Sequence, residues 1–153
     1  TLMEKVFLSI GSNIQPRKNF KILRTHLDRL FECEYSSIYE TRAEGFKGDN
    51  FLNSVVSFNT DIEPLELRGI LKSIEIKMGR SNSQKGMSNR VIDLDIILYG
   101  SLRIEDEQTD IPSKDIENYL FVLEPLVEIA GDCEHPILKK TFSQLLKDLN
   151  SQS

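Results

Sequence analysis

The sequence predicts an α+β fold with a ferredoxin-like βαββαβ core and additional C-terminal helices. The first observation is that β-prone segments and segments of helical hydrophobic spacing follow one another in that order. The second is the length of 153 residues, which suits one domain, so residues 1–153 are expected to form a single domain. The third is composition, because 39% hydrophobic residues against 28% charged residues can build a core.

Each element follows from a local pattern. Strands are predicted where β-branched and aromatic residues cluster, and helices where apolar residues recur every three or four positions. Pro16 and Pro64 suit the first turns of two helices, and Gly79 ends the second. The predicted elements are strands at 5–10, 34–39, 51–60 and 91–99, helices at 16–31, 64–78, 120–130 and 142–149, loops at 40–50 and 80–89, and a turn-rich region at 101–116 with room for a hairpin.

Charge and cysteine content narrow the classes of function. Nineteen basic and twenty-four acidic residues give a net charge of −5, which argues against a general nucleic-acid or membrane-surface binder. No apolar run approaches the roughly 20 residues of a membrane span, and no secretory signal is evident. Cys33 and Cys133 have no metal-ligand spacing. These features predict a cytoplasmic protein whose partners are neither nucleic acid nor a membrane.

Asp93 and Asp95 form the first chemical signal. Residues two apart in a strand share a face, so both carboxylates project together while Ile92, Leu94 and Ile96 face the other way. Carboxylates placed side by side repel each other unless they bind a proton or a cation, and Mg²⁺ suits them. The alternative is an ordinary solvent-facing side of a strand.

The segment from Lys77 to Arg90 is the second signal. Its basic residues are Lys77, Arg80, Lys85 and Arg90, and it contains no acidic residue. Cations beside carboxylates are the two halves of a site that transfers nucleotide phosphates. The alternative is a solvated basic loop.

Phe51 and Asn53 form the third signal, on one face of the predicted strand at 51–60. A flat ring could stack on Phe51 while its edge hydrogen-bonds the Asn53 amide, as a pterin or purine would. The alternative is a core phenylalanine beside an asparagine at a strand end. Glu75, at the border of the second helix's apolar stripe, is either a pocket carboxylate or a helix-edge residue.

Four stretches carry a resemblance to a known family. They are Leu8-Ser-Ile-Gly-Ser-Asn13, Phe51-Leu-Asn53, Glu75 through Gly79-Arg80, and Arg90-Val-Ile-Asp-Leu-Asp-Ile-Ile-Leu-Tyr-Gly100. In this order and spacing they resemble the 6-hydroxymethyl-7,8-dihydropterin pyrophosphokinases (HPPK) of folate biosynthesis. The resemblance implies a three-layer α/β/α arrangement and transfer of the β,γ-pyrophosphoryl group of ATP to the dihydropterin, with release of AMP. The expected partners are therefore the small molecules ATP and 6-hydroxymethyl-7,8-dihydropterin, and the expected state is a monomer.

The resemblance also implies roles for individual residues. Asp93 and Asp95 would hold two Mg²⁺ ions, and with Arg80 and Arg90 they would form the catalytic set. The implied pterin-binding residues are Thr41, Ala43, Gly45, Phe51, Asn53 and Phe121. The implied ATP-binding residues are Lys72, Glu75, Lys85, Ile96 and Lys114.

Three positions depart from the family pattern. Met87 replaces a lid tryptophan, Ser113 a histidine and Tyr119 an arginine, and the last two changes remove groups that would contact ATP phosphates. Lys85 or Lys114 are candidate substitutes. Two hypotheses follow: an active pyrophosphokinase, or a pterin- or nucleotide-binding relative with weakened catalysis. An RNA-binding sheet of similar element order is disfavoured, because Phe51 and Phe58 fall on opposite faces and the net charge is negative.

Overall fold

The computed structural model describes residues 3–42, 50–80 and 90–152. Within these ranges the chain forms one mixed sheet-and-helix unit and a small hairpin. The strands are β1 (Glu4–Ser12), β2 (Glu34–Tyr35), β3 (Tyr39–Thr41), β4 (Phe51–Thr60), β5 (Asp93–Tyr99), β6 (Ile104–Glu105) and β7 (Asp110–Ile111). The helices are α1 (Pro16–Leu30), α2 (Pro64–Lys77), α3 (Asp115–Asn118), α4 (Leu120–Ala130) and α5 (Phe142–Asn150).

The main sheet is antiparallel and has the strand order β2-β4-β1-β5, with β3 also paired to β4. The long strand β1 lies at the centre, between β4 and β5, and its pairing with β5 shifts register between Phe7 and Leu8. Strands β6 and β7 pair only with each other. This is the order that a ferredoxin-like core requires, and the predicted fold class is confirmed.

Hydrophobic residues cover both faces of this sheet, which gives three layers. On one face, α1 and α2 bury a stripe that includes Leu23, Leu27 and Leu71 against β1, β4 and β5. On the other face, α4 and α5 bury Leu123, Leu126 and Phe142 against residues such as Phe7, Val55 and Ile97. The two cores follow the period-two alternation of the strands.

The alternation predicted for β4 is confirmed, since its residues divide between the two cores. Leu52, Val56 and Phe58 pack with α1 and α2, whereas Val55 packs with α4 and α5. Phe31, beyond the end of α1, has extended backbone and stacks on Phe58 with ring centroids 3.9 Å apart.

Two local predictions require correction. The single strand predicted at 34–39 is two short strands, β2 and β3, separated where the Ser36 hydroxyl accepts a hydrogen bond from the Val55 amide in place of a regular ladder contact. The turn-rich region contains the expected hairpin, β6–β7, but also the short helix α3, which has no hydrophobic repeat to announce it. Among the described helices, none is long and apolar enough to cross a membrane.

Candidate active site

Strand register brings the first and third chemical signals to one side of the sheet. Gly11 on central β1 pairs with Asn53 of β4 on one side and Asp93 of β5 on the other. One pair further along, Ser9 lies between Val55 and Asp95. Because directly paired residues share a face and neighbouring strands are about 5 Å apart, Asn53 and the two aspartates lie roughly 10 Å apart on one side of the sheet.

Small residues on β1 form the floor between these groups. A Cβ atom added to Gly11 would lie 3.4 Å from Asn53 Oδ1 and 3.8 Å from Phe51 Cδ1. Any side chain at this position would therefore fill the space in front of both groups. Glycine at position 11 leaves that space open to a ligand.

The residues after Gly11 hold the start of β5. The Ser12 hydroxyl donates to the Val91 carbonyl at 2.6 Å, and the Asn13 Oδ1 accepts from the Arg90 amide at 2.6 Å. The backbone amide of Asn13 in turn donates to the Arg90 carbonyl at 3.0 Å. Both side chains are buried, so the glycine-serine-asparagine turn fixes where Arg90 enters the site.

Asp93 is held by two arginines. Arg80 Nη1 donates to Asp93 Oδ1 at 2.9 Å and to Glu75 Oε2 at 2.8 Å, and Arg90 Nη1 donates to Asp93 Oδ2 at 3.1 Å. Glu75 Oε2 also accepts from the Leu94 amide at 2.7 Å. Burial raises the pKa of Glu75, against the opposing effects of the Leu94 amide and Arg80. Glu75 is therefore the buried anchor of Arg80.

Asp95 has a different environment. Its carboxylate forms no ion pair or hydrogen bond with any residue in the described ranges. Solvent reaches the residue, yet protein surrounds the concave site in which it lies. This desolvation, together with the negative charges of Asp93, Glu75 and Asp115, raises the pKa of Asp95 to about 7. The second aspartate thus lacks the counter-charge that the first one has.

A charged cavity of about 460 Å³ opens along the edge of β5, between α2 and the β6–β7 hairpin. The side chains at its walls are both basic and acidic, with an apolar strip from Leu71, Leu94 and Ile96. Lys72, Glu75 and Arg80 line it from the α2 side. Its basic side chains suit an anionic group of a ligand, the apolar strip suits an apolar part, and the larger number of acidic side chains suits a cation bound together with that anion.

An aromatic cavity of about 880 Å³ lies on the α4–α5 side of the sheet, between the strand residues and the start of α4. Gly11, Phe51 and Asn53 line it from the sheet, and Tyr119 and Phe121 line it from the start of α4. Asn53 Nδ2 donates to Thr41 Oγ1 at 2.8 Å, which fixes the amide. An aromatic wall beside an oriented amide suits a flat, polar-edged ring.

The two cavities share one wall. Asp93, Asp95 and Asp115 line both of them. Burial, reinforced by Asp110 and Asp93, raises the pKa of Asp115. Ligands bound in the two cavities could therefore both approach these three acidic residues.

The donor set suits a hard divalent cation. The Asp95 carboxyl group is unpaired within the described ranges, and carboxylate oxygens are ligands that Mg²⁺ prefers. Among the described residues, no three histidine, cysteine or acidic side chains converge closely enough to bind a metal ion by themselves. A cation here would take its remaining ligands from a bound phosphate and from water, as Mg²⁺ commonly does.

The structure brings most of the predicted site residues to these cavities. The charged cavity includes Lys72, Glu75, Arg80 and Ile96, and the aromatic cavity includes Thr41, Phe51, Asn53, Arg90 and Phe121. Lys114 does not line either cavity, and its Nζ lies 3.5 Å from Glu105 Oε1 on the surface. Ala43, Gly45, Lys85 and Met87 lie outside the described residues.

Sequence reasoning did not identify several lining residues. Asp115 and Asn118 belong to α3, and Arg68, Gln108 and Thr109 border the charged cavity. Arg68 Nη1 lies 3.4 Å from Gln108 Oε1 and 3.5 Å from Thr109 Oγ1, across the cavity between α2 and the hairpin. No motif connects these positions, although the repeated acidic residues of 101–116 were a signal that this region contributes charge.

Several proteins of known name are similar in sequence to most of this chain. The 2-amino-4-hydroxy-6-hydroxymethyldihydropteridine pyrophosphokinase of Aquifex aeolicus is 35% identical over 146 residues, which cover 93% of the chain and 90% of that protein. The Bacillus subtilis protein of the same name is 34% identical over 134 residues, covering 84% of the chain and 79% of that protein. The bifunctional protein FolKE of Lactococcus lactis subsp. cremoris is 35% identical over 136 residues, covering 85% of the chain.

A solved structure shares the fold. The Plasmodium falciparum HPPK-DHPS, crystallised with pterin and p-hydroxybenzoate, superposes with a TM-score of 0.74 at 16% identity and covers 99% of the chain. The chain spans only 44% of that protein and 38% of the Lactococcus FolKE, so it corresponds to one part of these longer relatives.

The family model described as 7,8-dihydro-6-hydroxymethylpterin-pyrophosphokinase (HPPK) matches residues 7–131, which include both cavities' sheet residues and the start of α4. Together with the relatives of about one-third identity, this match shows that the chain belongs to the HPPK family.

Proposed function

We propose that this chain transfers a diphosphate group from ATP to 6-hydroxymethyl-7,8-dihydropterin, giving AMP and the dihydropterin diphosphate of folate biosynthesis. The observation that carries the proposal is the acidic wall common to the two cavities. A nucleotide in the charged cavity and a pterin in the aromatic cavity would bring their reacting groups to this wall. Family membership supplies the two substrates.

The charged cavity is the proposed ATP site. Its apolar strip suits the base, and Lys72 together with Arg80 suits the phosphates. Glu75 holds Arg80 through a 2.8 Å ion pair, so the guanidinium is already directed toward β5. Lys85 and Lys114 remain predicted ATP contacts.

The aromatic cavity is the proposed pterin site. Asn53 offers an amide to the polar edge of the ring, and Thr41 fixes the orientation of that amide. Phe51 and Phe121 offer aromatic surfaces on the sheet side and the α4 side. Ala43 and Gly45 remain predicted contacts from the segment that follows Thr41.

The reaction needs positioning and charge stabilisation more than a covalent nucleophile. The hydroxymethyl oxygen of the pterin attacks the β-phosphorus of ATP, the bond from that phosphorus to the α,β-bridging oxygen breaks, and AMP leaves. The hydroxyl proton passes to solvent. Arg80 and Arg90 stabilise the charge of the transferred group, because both guanidinium groups already lie beside Asp93.

Asp93 and Asp95 are the proposed ligands of two Mg²⁺ ions. The bound ions would neutralise phosphate charge and hold the triphosphate in line for attack. Asp95 supplies a carboxylate with no cation of its own among the described residues. Asp93 supplies one that the arginines orient at 2.9 and 3.1 Å.

We further propose that the protein acts as a cytoplasmic monomer on these small molecules. The net charge of −5 supports the part of this proposal that excludes nucleic acid and anionic membranes as partners.

Incubation with ATP, Mg²⁺ and 6-hydroxymethyl-7,8-dihydropterin tests the function. We expect AMP to form only when the pterin is present, in equal amount to the dihydropterin diphosphate. Formation of ADP, or of AMP at the same rate without pterin, would contradict the proposed reaction. Asp95→Asn is the matched control, because it keeps the size of the side chain and removes its charge.

One observation supports a second candidate, a pterin- and nucleotide-binding relative with weakened catalysis. Ser113 and Tyr119 line the cavities where the family pattern has a histidine and an arginine, and Lys114 is directed toward Glu105 rather than into a cavity. Binding of both ligands by calorimetry without formation of AMP would favour this candidate.

A further inference from the structure

We propose that Tyr119 is a positioning residue for the pterin, acting by holding the ring of Phe121 as one wall of the aromatic cavity. This inference rests on the proposed function, because the flat ligand that it serves is the pterin. The family pattern has an arginine where this chain has Tyr119, so a contact between the rings of Tyr119 and Phe121 is a feature of this sequence and not of that pattern.

Exposed apolar side chains are concentrated at the start of α4. Tyr119, Leu120 and Phe121 are 44%, 40% and 37% exposed, whereas the next two residues, Val122 and Leu123, are almost completely buried. All three exposed residues line the aromatic cavity. Large apolar side chains grouped on a cavity wall are typical of a ligand site.

Stacking restricts the movement of these side chains. The rings of Tyr119 and Phe121 have centroids 5.0 Å apart and an interplanar angle of 29°. An exposed phenylalanine that packs on nothing loses rotamer freedom when a ligand orders it. With one face of Phe121 covered by Tyr119, part of that entropy is already lost before the pterin binds.

The backbone fixes Tyr119 itself. Its amide donates to the Asp115 carbonyl at 3.0 Å, and its carbonyl accepts from the Val122 and Leu123 amides at 3.1 and 3.0 Å. Tyr119 therefore joins α3 to α4, and its ring extends from a rigid corner. Asp115, at the other end of that hydrogen bond, lines both cavities.

The ring, rather than the hydroxyl, carries the effect. The Tyr119 hydroxyl has no hydrogen-bond partner among the described residues, whereas the ring has the stacking contact with Phe121. The conservative variant Tyr119→Phe should therefore retain the wall. Tyr119→Leu keeps an apolar side chain but removes the flat surface, and Tyr119→Ala removes both.

Calorimetric titration of 6-hydroxymethyl-7,8-dihydropterin, with Mg²⁺ and a non-hydrolysable ATP analogue present, tests the inference. We expect the pterin Kd to rise about threefold to tenfold in Tyr119→Ala, since an aromatic pair contributes roughly that factor. Tyr119→Leu should show most of this rise, and Tyr119→Phe should stay within about twofold of the parent chain. The Kd of the ATP analogue should not change.

A double-mutant cycle separates positioning from a general structural effect. In a Phe121→Ala background, Tyr119→Ala should cause little further loss of pterin affinity, because Tyr119 acts through Phe121. The same loss in both backgrounds would overturn the inference, as would an unchanged Kd in Tyr119→Ala. If the parent chain itself fails to bind the pterin, the proposed function fails first, and the inference fails with it.

Discussion

The two cavities differ in how they are built. The charged cavity is bounded by long side chains whose positions depend on ion pairs, above all Arg80 between Glu75 and Asp93. The aromatic cavity has a floor of backbone and small residues, with Gly11 at its centre, and rings at its walls. This difference indicates that the balance of charges controls ligand binding in the charged cavity, whereas the shape of the walls controls it in the aromatic cavity.

Asp95→Ala should have the largest effect, because Asp95 belongs to both cavities and lacks a counter-charge among the described residues. We expect pterin-dependent AMP formation to fall by about 10²–10³-fold, the loss typical of removing one electrostatic group from a transfer site. The melting temperature should stay the same or rise, because the variant relieves repulsion with Asp93 and Asp115. A coupled AMP assay and a thermal melt measure the two quantities.

An Asp95→Ala variant that keeps more than half of the activity would contradict the role of the shared wall. A large fall in melting temperature would instead show that Asp95 stabilises the fold.

Arg80→Met should affect both stability and nucleotide binding. It leaves Glu75, which is 6% exposed, with the Leu94 amide as its remaining partner on Oε2. We expect a loss of about 1–3 kcal/mol in the free energy of unfolding, less than for a fully buried pair because the Arg80 side chain is 20% exposed. Affinity for an ATP analogue should fall roughly tenfold, while pterin affinity measured alone changes little.

Lys140→Met is the matched control for Arg80→Met. Its ion pair with Asp148 spans 3.0 Å but is exposed, so we expect a much smaller loss of stability than in Arg80→Met. Equal losses in the two variants, measured by urea unfolding, would show that the Arg80 pair contributes no more than a surface pair.

Asn53→Ala should act on the aromatic cavity alone. We expect the pterin Kd to rise about tenfold, as for the loss of one or two hydrogen bonds, with no change for the nucleotide. Thr41→Val tests the same contact from its other end, since it removes the acceptor of the 2.8 Å hydrogen bond from Asn53 and should cause a smaller rise. A larger effect on nucleotide than on pterin affinity would contradict the separation of the two cavities.

The smallest expected effect is on stability and comes from His135, which lies next to Glu117 of α3. His135 Nδ1 accepts from the Ile137 and Leu138 amides at 3.1 Å, and its Nε2 lies 4.0 Å from Glu117 Oε1. Burial lowers the pKa of His135, so the unfolded chain binds a proton more readily than the folded one. The stability that this residue contributes is complete above the unfolded pKa of about 6.5 and is lost as the pH falls below it.

When the pH is lowered from about 7.5 to 5.5, the free energy of unfolding should therefore fall less in the His135→Gln variant than in the parent chain. Glu117 acts in the opposite direction, because burial raises its pKa, and it is present in both chains. His26→Gln is the control for removing a histidine. Parallel pH profiles for the parent and His135→Gln in urea unfolding would exclude His135 as the cause.

Local patterns were sufficient to predict which side chains share a face. The strand alternation that separates Asp93 from Leu94 has a fixed period, so no tertiary information is needed. Helix starts at Pro16 and Pro64 were predicted correctly because proline fixes its own backbone there.

Pairing between strands could not be predicted in the same way. The register that sets Gly11 between Asn53 and Asp93 depends on contacts distant in sequence, and only the structure shows it. Asp115 was missed because α3 is one turn long and has no hydrophobic repeat. Arg80 and Arg90 were predicted to contact phosphates. Their ion pairs with Asp93 depend on the tertiary structure and could not be predicted from the sequence.

Calorimetric titration of the pterin, with and without Mg²⁺ and a non-hydrolysable ATP analogue, tests the shared acidic wall most directly. A cation and phosphates bound at Asp93 and Asp95 would lie beside the hydroxymethyl group of the pterin and add contacts to it, so the pterin should bind at least about fivefold more tightly in their presence. Asp95→Asn should reduce this difference. The same pterin affinity under both conditions would contradict the claim that the two ligands meet at one wall.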